Sequence, residues 1–232
     1  MGFLSNILGQ LFKYIYETVE SLGIGGANVS NYAVAVIIMG LIYKLLTIPM
    51  TIQSAKQSKR QQELQPELDR IKQKYGYDQQ IYQQKMQEFQ KENNMMQGCG
   101  STCLTFILQM IIVIALYGVM REPHKYLPGF ENISRNFFWI NDLSLADPTG
   151  YLLPLINSLS QLGYQYFNRT NMQQQSQNGM QTVMYIMPIM FFFIFRTLPA
   201  GLVLYWSVGN VIEIIVKGII KLSSRPRVRS QE

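Results

Sequence analysis

Charge is scarce in this sequence. Only 15% of the 232 residues are charged, whereas a soluble domain carries about 25%. Histidine occurs once, as His124, and cysteine twice, as Cys99 and Cys103. One C-x₃-C pair with no second pair and no nearby histidine excludes a disulfide framework and makes a zinc site a poor fit. There is no G-x-S-x-G serine, no phosphate loop and no pair of carboxylates inside an apolar run. We therefore expect neither an enzyme nor a bound metal or cofactor. The first residues lack the positive charge and small-residue site of a cleavable signal peptide, and none is expected.

What the chain does have is long apolar runs. Hydrophobic residues make up 48% of it, gathered in five windows at 33–53, 103–120, 151–167, 182–195 with its flanks, and 201–220. Each is long enough to cross a bilayer. The runs are continuous and do not alternate with polar residues, so a transmembrane β-barrel is excluded. The fold expected is an all-α polytopic membrane protein with five transmembrane helices around a hydrophilic groove open to the cytoplasm.

The parts in order are an external segment at 1–30, a first span at 31–53, a cytoplasmic helical hairpin at 54–100 and a second span at 101–120. An external loop follows at 121–150, then a third span at 151–167, a cytoplasmic loop at 168–181, a fourth span at 182–196, a fifth at 200–221 and a basic tail at 222–232. In the first segment Leu4, Leu8, Leu11, Ile15, Val19 and Leu22 share one helical face, the pattern of an interfacial amphipathic helix. Tyr75-Gly-Tyr-Asp78 marks the hairpin turn, with Asp78 as the cap of its second arm. Phe137-Phe-Trp139 is expected to anchor the external loop at the interface.

Basic residues set the orientation. Lys56, Lys59, Arg60, Arg70, Lys72, Lys74, Lys85 and Lys91 follow the first span, and Lys221, Arg225, Arg227 and Arg229 follow the last. The positive-inside rule puts both regions in the cytoplasm and the N-terminus outside.

Lys44 is the anomaly. It lies near the middle of the first window, about 15 Å from either headgroup layer, beyond the reach of a snorkelling stem. A lysine at that depth costs about 2.5–3.5 kcal/mol on insertion scales, so it requires either water or a carboxylate. Other polar residues recur at the same inner depth. Thr47, Thr51 and Ser54 follow Lys44 on its face, and Thr102, Thr105 and Gln109 share a face of the second window. Asn157, Gln161, Gln165 and Asn168 run down the third, and Trp206, Asn210, Glu213 and Lys217 down the fifth. One polar residue in a span is often only glue between helices. Four aligned seams confined to one leaflet point instead to a hydrophilic groove closed to the outside. Lys44 and Glu213 fall at equal depth and are expected to pair.

Several stretches resemble the YidC family of membrane protein insertases. They are Ile42-Tyr-Lys-Leu-Leu-Thr-Ile-Pro-Met-Thr51, Leu64-Gln-Pro-Glu-Leu68, Phe138-Trp-Ile-Asn-Asp-Leu-Ser144 with Asp147-Pro148, and Pro199-Ala-Gly-Leu-Val-Leu-Tyr-Trp206 with Asn210. The absence of a large domain before the first span resembles the Gram-positive, five-span form. The resemblance implies a bacterial cell-membrane protein whose groove holds a central positive charge, usually arginine and here Lys44. Gln165 and Trp206 fall where the family places other groove-lining residues, and the second and fourth spans where it places a greasy slide. It implies nascent membrane proteins as substrates, with ribosome, targeting machinery, Sec translocon and lipids as partners and no specific nucleic-acid sequence. The substrate groove expected is Lys44, Thr47, Gln109, Asn157, Gln161, Gln165, Trp206, Asn210 and Glu213. Two features depart from the family pattern: lysine replaces arginine, and the segment 95–103 is longer, with Thr105 where proline is common. The alternative from another class is a small anion or solute transporter with Lys44 as its binding site.

Overall fold

The computed structural model describes residues 2–93, 96–172 and 179–223. Residues 173–178, within the loop expected in the cytoplasm, and the basic tail beyond 223 lie outside the described residues, as do the side chains of Ser54, Thr102, Thr105 and Asn168. Every regular element in the described part is a helix. In order they are α1 (Gly2–Leu22), α2 (Asn31–Tyr75), α3 (Gln79–Glu92), α4 (Met96–Arg121), α5 (Leu152–Met172), α6 (Gly179–Phe195) and α7 (Ala200–Ser223), with short 3₁₀ turns at Pro123–Lys125 and Phe130–Asn132. Among the described residues two stretches, Asn31–Gln53 and Ala200–Ile220, are long and apolar enough to cross a membrane. Ile107–Met120 and Ile186–Phe195 are shorter apolar helices.

The N-terminal helix is amphipathic, as its spacing predicts, and its buried side carries Phe12, Ile15, Tyr16 and Val19. That side packs on α2 and α4. Phe12 and Tyr16 enter the core while Leu22 stays exposed, so the working face is rotated from the leucine stripe towards the aromatics. The Phe12 ring meets Tyr32 edge-on at 5.3 Å.

The first apolar window and the first arm of the hairpin form one continuous helix of 45 residues, with Pro49 and Pro66 inside it. Ser30 starts it by accepting from the Ala33 amide. Gly76 ends it, and Asp78 caps α3 by accepting from the amides of Gln80 and Ile81. The hairpin stripe is thin. Leu68 is buried, but α3 buries no residue.

Three helices, α2, α5 and α7, pack on one another pairwise. Each begins against the segment 121–151. The Ser30 amide and hydroxyl both donate to the Asn136 carbonyl. The amides of Ala200 and Gly201 donate to the carbonyls of Leu145 and Leu143, and the Leu153 amide to the Asp147 carboxylate at 2.7 Å. Ile140 and Leu143 of this segment are wholly buried. They complete an apolar core with Tyr32, Val36, Met39, Leu116, Val119, Leu202 and Val203. Phe138 takes a left-handed conformation (φ 47) in a turn closed by reciprocal bonds between Phe137 and Ile140. Such a conformation costs a bulky residue on the order of 1–3 kcal/mol, and it leaves Phe138 exposed beside Trp139.

Arg135 ties the segment together. Its Nε and Nη2 donate to the two oxygens of Asp142, at 2.9 and 2.7 Å, and Nη1 donates to the Phe130 carbonyl. Partial burial pushes the Asp142 carboxyl up, but Arg135 and the hydroxyl and amide of Ser144 outweigh it, so it sits below the usual carboxylate range. A depressed carboxylate stabilises the fold above its unfolded value, and that contribution disappears as the pH falls through its folded value, below about 4. Arg135→Ala should cost on the order of 1–2 kcal/mol at neutral pH. Thermal unfolding in detergent should show the gap between wild type and variant closing from about pH 5 downward, with most of the loss below about pH 4. A gap that stays constant over that range would remove the ion pair as its source.

Candidate functional site

Burial in the three mutually packed helices changes character at one level. In α2 the buried side chains run Tyr32, Ala33, Ala35, Val36, Met39 and Tyr43, and then become Thr47 and Thr51. In α7 they run from Ala200 to Tyr205, and then become Ser207, Glu213 and Lys217. In α5 Leu153 gives way to Asn157, Ser158, Gln161 and Gln165. Lys44, Gln165 and Glu213 each stand thirteen residues past the first residue of their helix, roughly 20 Å along the axis.

Two polar clusters form there. In the first, Lys44 Nζ lies 2.7 Å from Glu213 Oε2, with the side chains 16% and 10% exposed. Lys217 Nζ lies 3.4 Å from the other oxygen, Oε1, one helical turn along α7. Thr51 Oγ1 donates across from α2, at 3.3 and 3.4 Å to the two oxygens. The lysine stem lies over Gly209, where an added Cβ would come within 3.2 Å of Lys44 Cε. One carboxylate is thus shared by two ammonium groups and a hydroxyl, and these three charged side chains carry a net charge of +1.

The second cluster joins α5 to α7. Ser207 Oγ donates to Asn157 Oδ1 at 3.1 Å. Asn210 Nδ2 lies 3.4 Å from the same oxygen and 3.2 Å from Ser160 Oγ. Asn157 Nδ2, Gln161 Oε1 and Gln165 Oε1 are buried and meet no hydrogen-bond partner among the described residues. Buried amide groups are almost always hydrogen-bonded, so these three atoms call for water or a polar guest.

A family model described as 60Kd inner membrane protein matches residues 24–226. The chain belongs to this family. A membrane protein insertase YidC of Fusobacterium nucleatum is 32% identical over 217 residues, covering 93% of this chain and 95% of the relative. Proteins of the same name from Pseudoalteromonas atlantica and Francisella philomiragia are 35% and 32% identical over 97% and 94% of this chain. The chain spans only 38% and 36% of their lengths.

In this member of the 60Kd inner membrane protein family, the structure brings Lys44 and Glu213 together, and Asn157 with Asn210. Gln161 and Gln165 line the same face of α5 as Asn157. Thr47 is buried, but its hydroxyl turns back to the carbonyls of Tyr43 and Lys44. Trp206 is partly buried against Phe191 and Phe195 of α6, at 5.6 and 5.5 Å. Gln109 stands on α4 beside the Tyr205 side chain. Ser160, Ser207 and Gly209 escaped the sequence reading. Ser160 and Ser207 carry a usable signal, since they lie three residues after Asn157 and three before Asn210 and so on the seam faces.

Loss of Lys44 leaves Glu213 paired with Lys217, whereas loss of Glu213 leaves two ammonium groups facing each other. Glu213→Ala should therefore destabilise more than Lys44→Ala, by about 3–5 kcal/mol in total, the usual cost of stranding a buried charge. The double variant should recover part of that loss. Unfolding of the four proteins in detergent tests the cycle, and additive losses would mean the two groups do not interact.

Proposed function

We infer that this chain inserts integral membrane proteins and assists their folding, with the polar seam of α2, α5 and α7 as its substrate groove. The observation that carries this is the change from apolar to polar burial at one level in three packed helices. Membership of a family whose matched relatives are named membrane protein insertases supports the activity. Those names give the transporter alternative no support.

Five spans are proposed, with the N-terminus outside, the hairpin and C-terminus in the cytoplasm, and α1 at the outer interface. The basic residues after the first and last spans support that orientation. In this arrangement the apolar core and the segment 121–151 close the outer end, and water reaches Lys44 from inside. A translocating tail, acidic in the simplest case, enters the seam and meets the ammonium, so it has only the outer part of the bilayer left to cross. Asn157, Gln161 and Gln165 offer it hydrogen bonds. The exposed faces of α4 and α6, with Ile107, Ile111, Ile114, Ile189 and Phe193, pass the hydrophobic segment to lipid. Each Å² of apolar area removed from water contributes about 25 cal/mol. No covalent step and no nucleotide are required. The ribosome, the targeting machinery or the Sec translocon would approach from the hairpin side.

Expression in an insertase-depleted bacterium tests the reading. Wild type and Lys44→Arg should restore growth and insertion. Lys44→Glu should reduce insertion of acidic-tailed clients by roughly tenfold or more, the scale of one inverted charge contact. A cysteine at position 44 should react with a membrane-impermeant thiol reagent from the cytoplasmic side only. Failure of the wild-type chain to rescue, or labelling from outside, would end the insertase reading.

A further inference from the structure

Lys44 is already occupied. The positive charge proposed to receive an acidic tail is held by Glu213 at 2.7 Å, and Thr51 donates to the same carboxylate. An entering tail therefore does not meet an open cation; it must exchange one carboxylate for another. The geometry shows how such an exchange proceeds without stranding a charge. Lys44 holds Oε2 of Glu213, while Lys217 lies against Oε1 from the next turn of the same helix. Lys44 can leave Glu213 while Lys217 and Thr51 keep it.

We propose that Glu213 is a resident stand-in for the client carboxylate, and that Lys217 holds it when Lys44 is taken, so that the groove accepts one acidic group per tail. The inference rests on the insertase reading and sharpens its specificity. Lys44 and Lys217 together have one more charge than Glu213 can balance. One incoming carboxylate completes two ion pairs, Lys44 with the client and Lys217 with Glu213. A second would find both ammonium groups engaged. The three side chains act as a counter set to one, and Lys217 becomes a specificity-determining residue although it need not touch the client. Gly209 fits this role. Its missing side chain lets the Lys44 stem lie directly against α7, within reach of Glu213.

The test uses the full chain in lipid nanodiscs and synthetic apolar peptides whose N-terminal tails carry no, one or two aspartates and a photoreactive residue. Crosslinking against peptide concentration gives the affinity. Wild type should gain about tenfold from the first aspartate, the scale of one charge-assisted hydrogen bond, and little from the second. Lys217→Gln leaves Glu213 no second ammonium, so the first step should vanish. Glu213→Gln removes the carboxylate that Lys44 and Lys217 share, and a second step should appear.

Because Glu213→Gln sets two lysines side by side and can fail to fold, Glu213→Gln/Lys217→Gln serves as the companion. It carries the wild-type net charge with Lys44 unoccupied, and should bind the one-aspartate tail several-fold more tightly than wild type. Retention of the wild-type step in Lys217→Gln would overturn the proposal. So would a wild-type affinity that climbs as steeply at the second aspartate as at the first, or a double variant no tighter than wild type. Failure of the insertase reading itself is seen separately, as a wild-type chain that crosslinks none of the tails and rescues no depleted cell.

Discussion

Axial register among three helices is the constraint on which the site depends. The segment 121–151 accepts hydrogen bonds from the first amides of α2, α5 and α7 at Asn136, Asp147, Leu145 and Leu143. Those amides are the orphan donors of any helix start, so the segment satisfies groups that would otherwise lie unpaired in an apolar setting. Fixing the starts also fixes the depth of everything downstream, because an α-helix advances about 1.5 Å per residue without slack. Lys44 and Glu213, equally far from their helix starts, consequently meet. A slip of one turn, about 5.4 Å, would set Lys44 level with Lys217 in one direction or with Gly209 in the other, and away from Glu213.

Electrostatics then decides how tightly the three helices can close on their polar half. A lone lysine in that position would be costly, and a lysine neutralised by a single carboxylate would be inert towards an incoming acid. Two lysines around one carboxylate lie between those limits. The cluster is paired well enough to be buried yet retains one positive charge. The neighbouring amides behave similarly. Asn157 gives its oxygen to Ser207 and Asn210, while its nitrogen and the side-chain oxygens of Gln161 and Gln165 have no partner among the described residues. Helix contacts meet part of the hydrogen-bonding demand, and the remainder selects for water or polypeptide.

Much of this was legible in the sequence because it follows from periodicity and depth. Apolar runs without alternation dictate helices, Asp78 reads as a cap and serves as one, and the equal depth of Lys44 and Glu213 foretells their contact. What periodicity cannot supply is rotation of a side chain about its own bonds. Thr47 lies on the right face, yet its hydroxyl bonds to its own helix. Trp206 lies in line with Asn210 and Glu213, but its ring joins the aromatics of α6. The seat of Lys44 over Gly209 was invisible for a related reason: a glycine in an apolar run gives no sign of which neighbour uses the space.

Composition also misleads about where one mechanical part ends and another begins. After Gln53 the sequence turns from apolar to charged, which marks an edge of solvent exposure. The backbone has no matching edge, since α2 runs unbroken to Tyr75. Helix propensity and hydrogen bonding do not register the passage from lipid to water; only side-chain solvation does. Pro49, five residues past Lys44, removes the amide that the Leu45 carbonyl would accept from, so the ladder lacks one hydrogen bond beside the lysine cluster, as it does again at Pro66. The helix that presents Lys44 to Glu213 is thus the one that carries the first arm of the hairpin, and any load on that arm is transmitted through a stretch already short of one hydrogen bond.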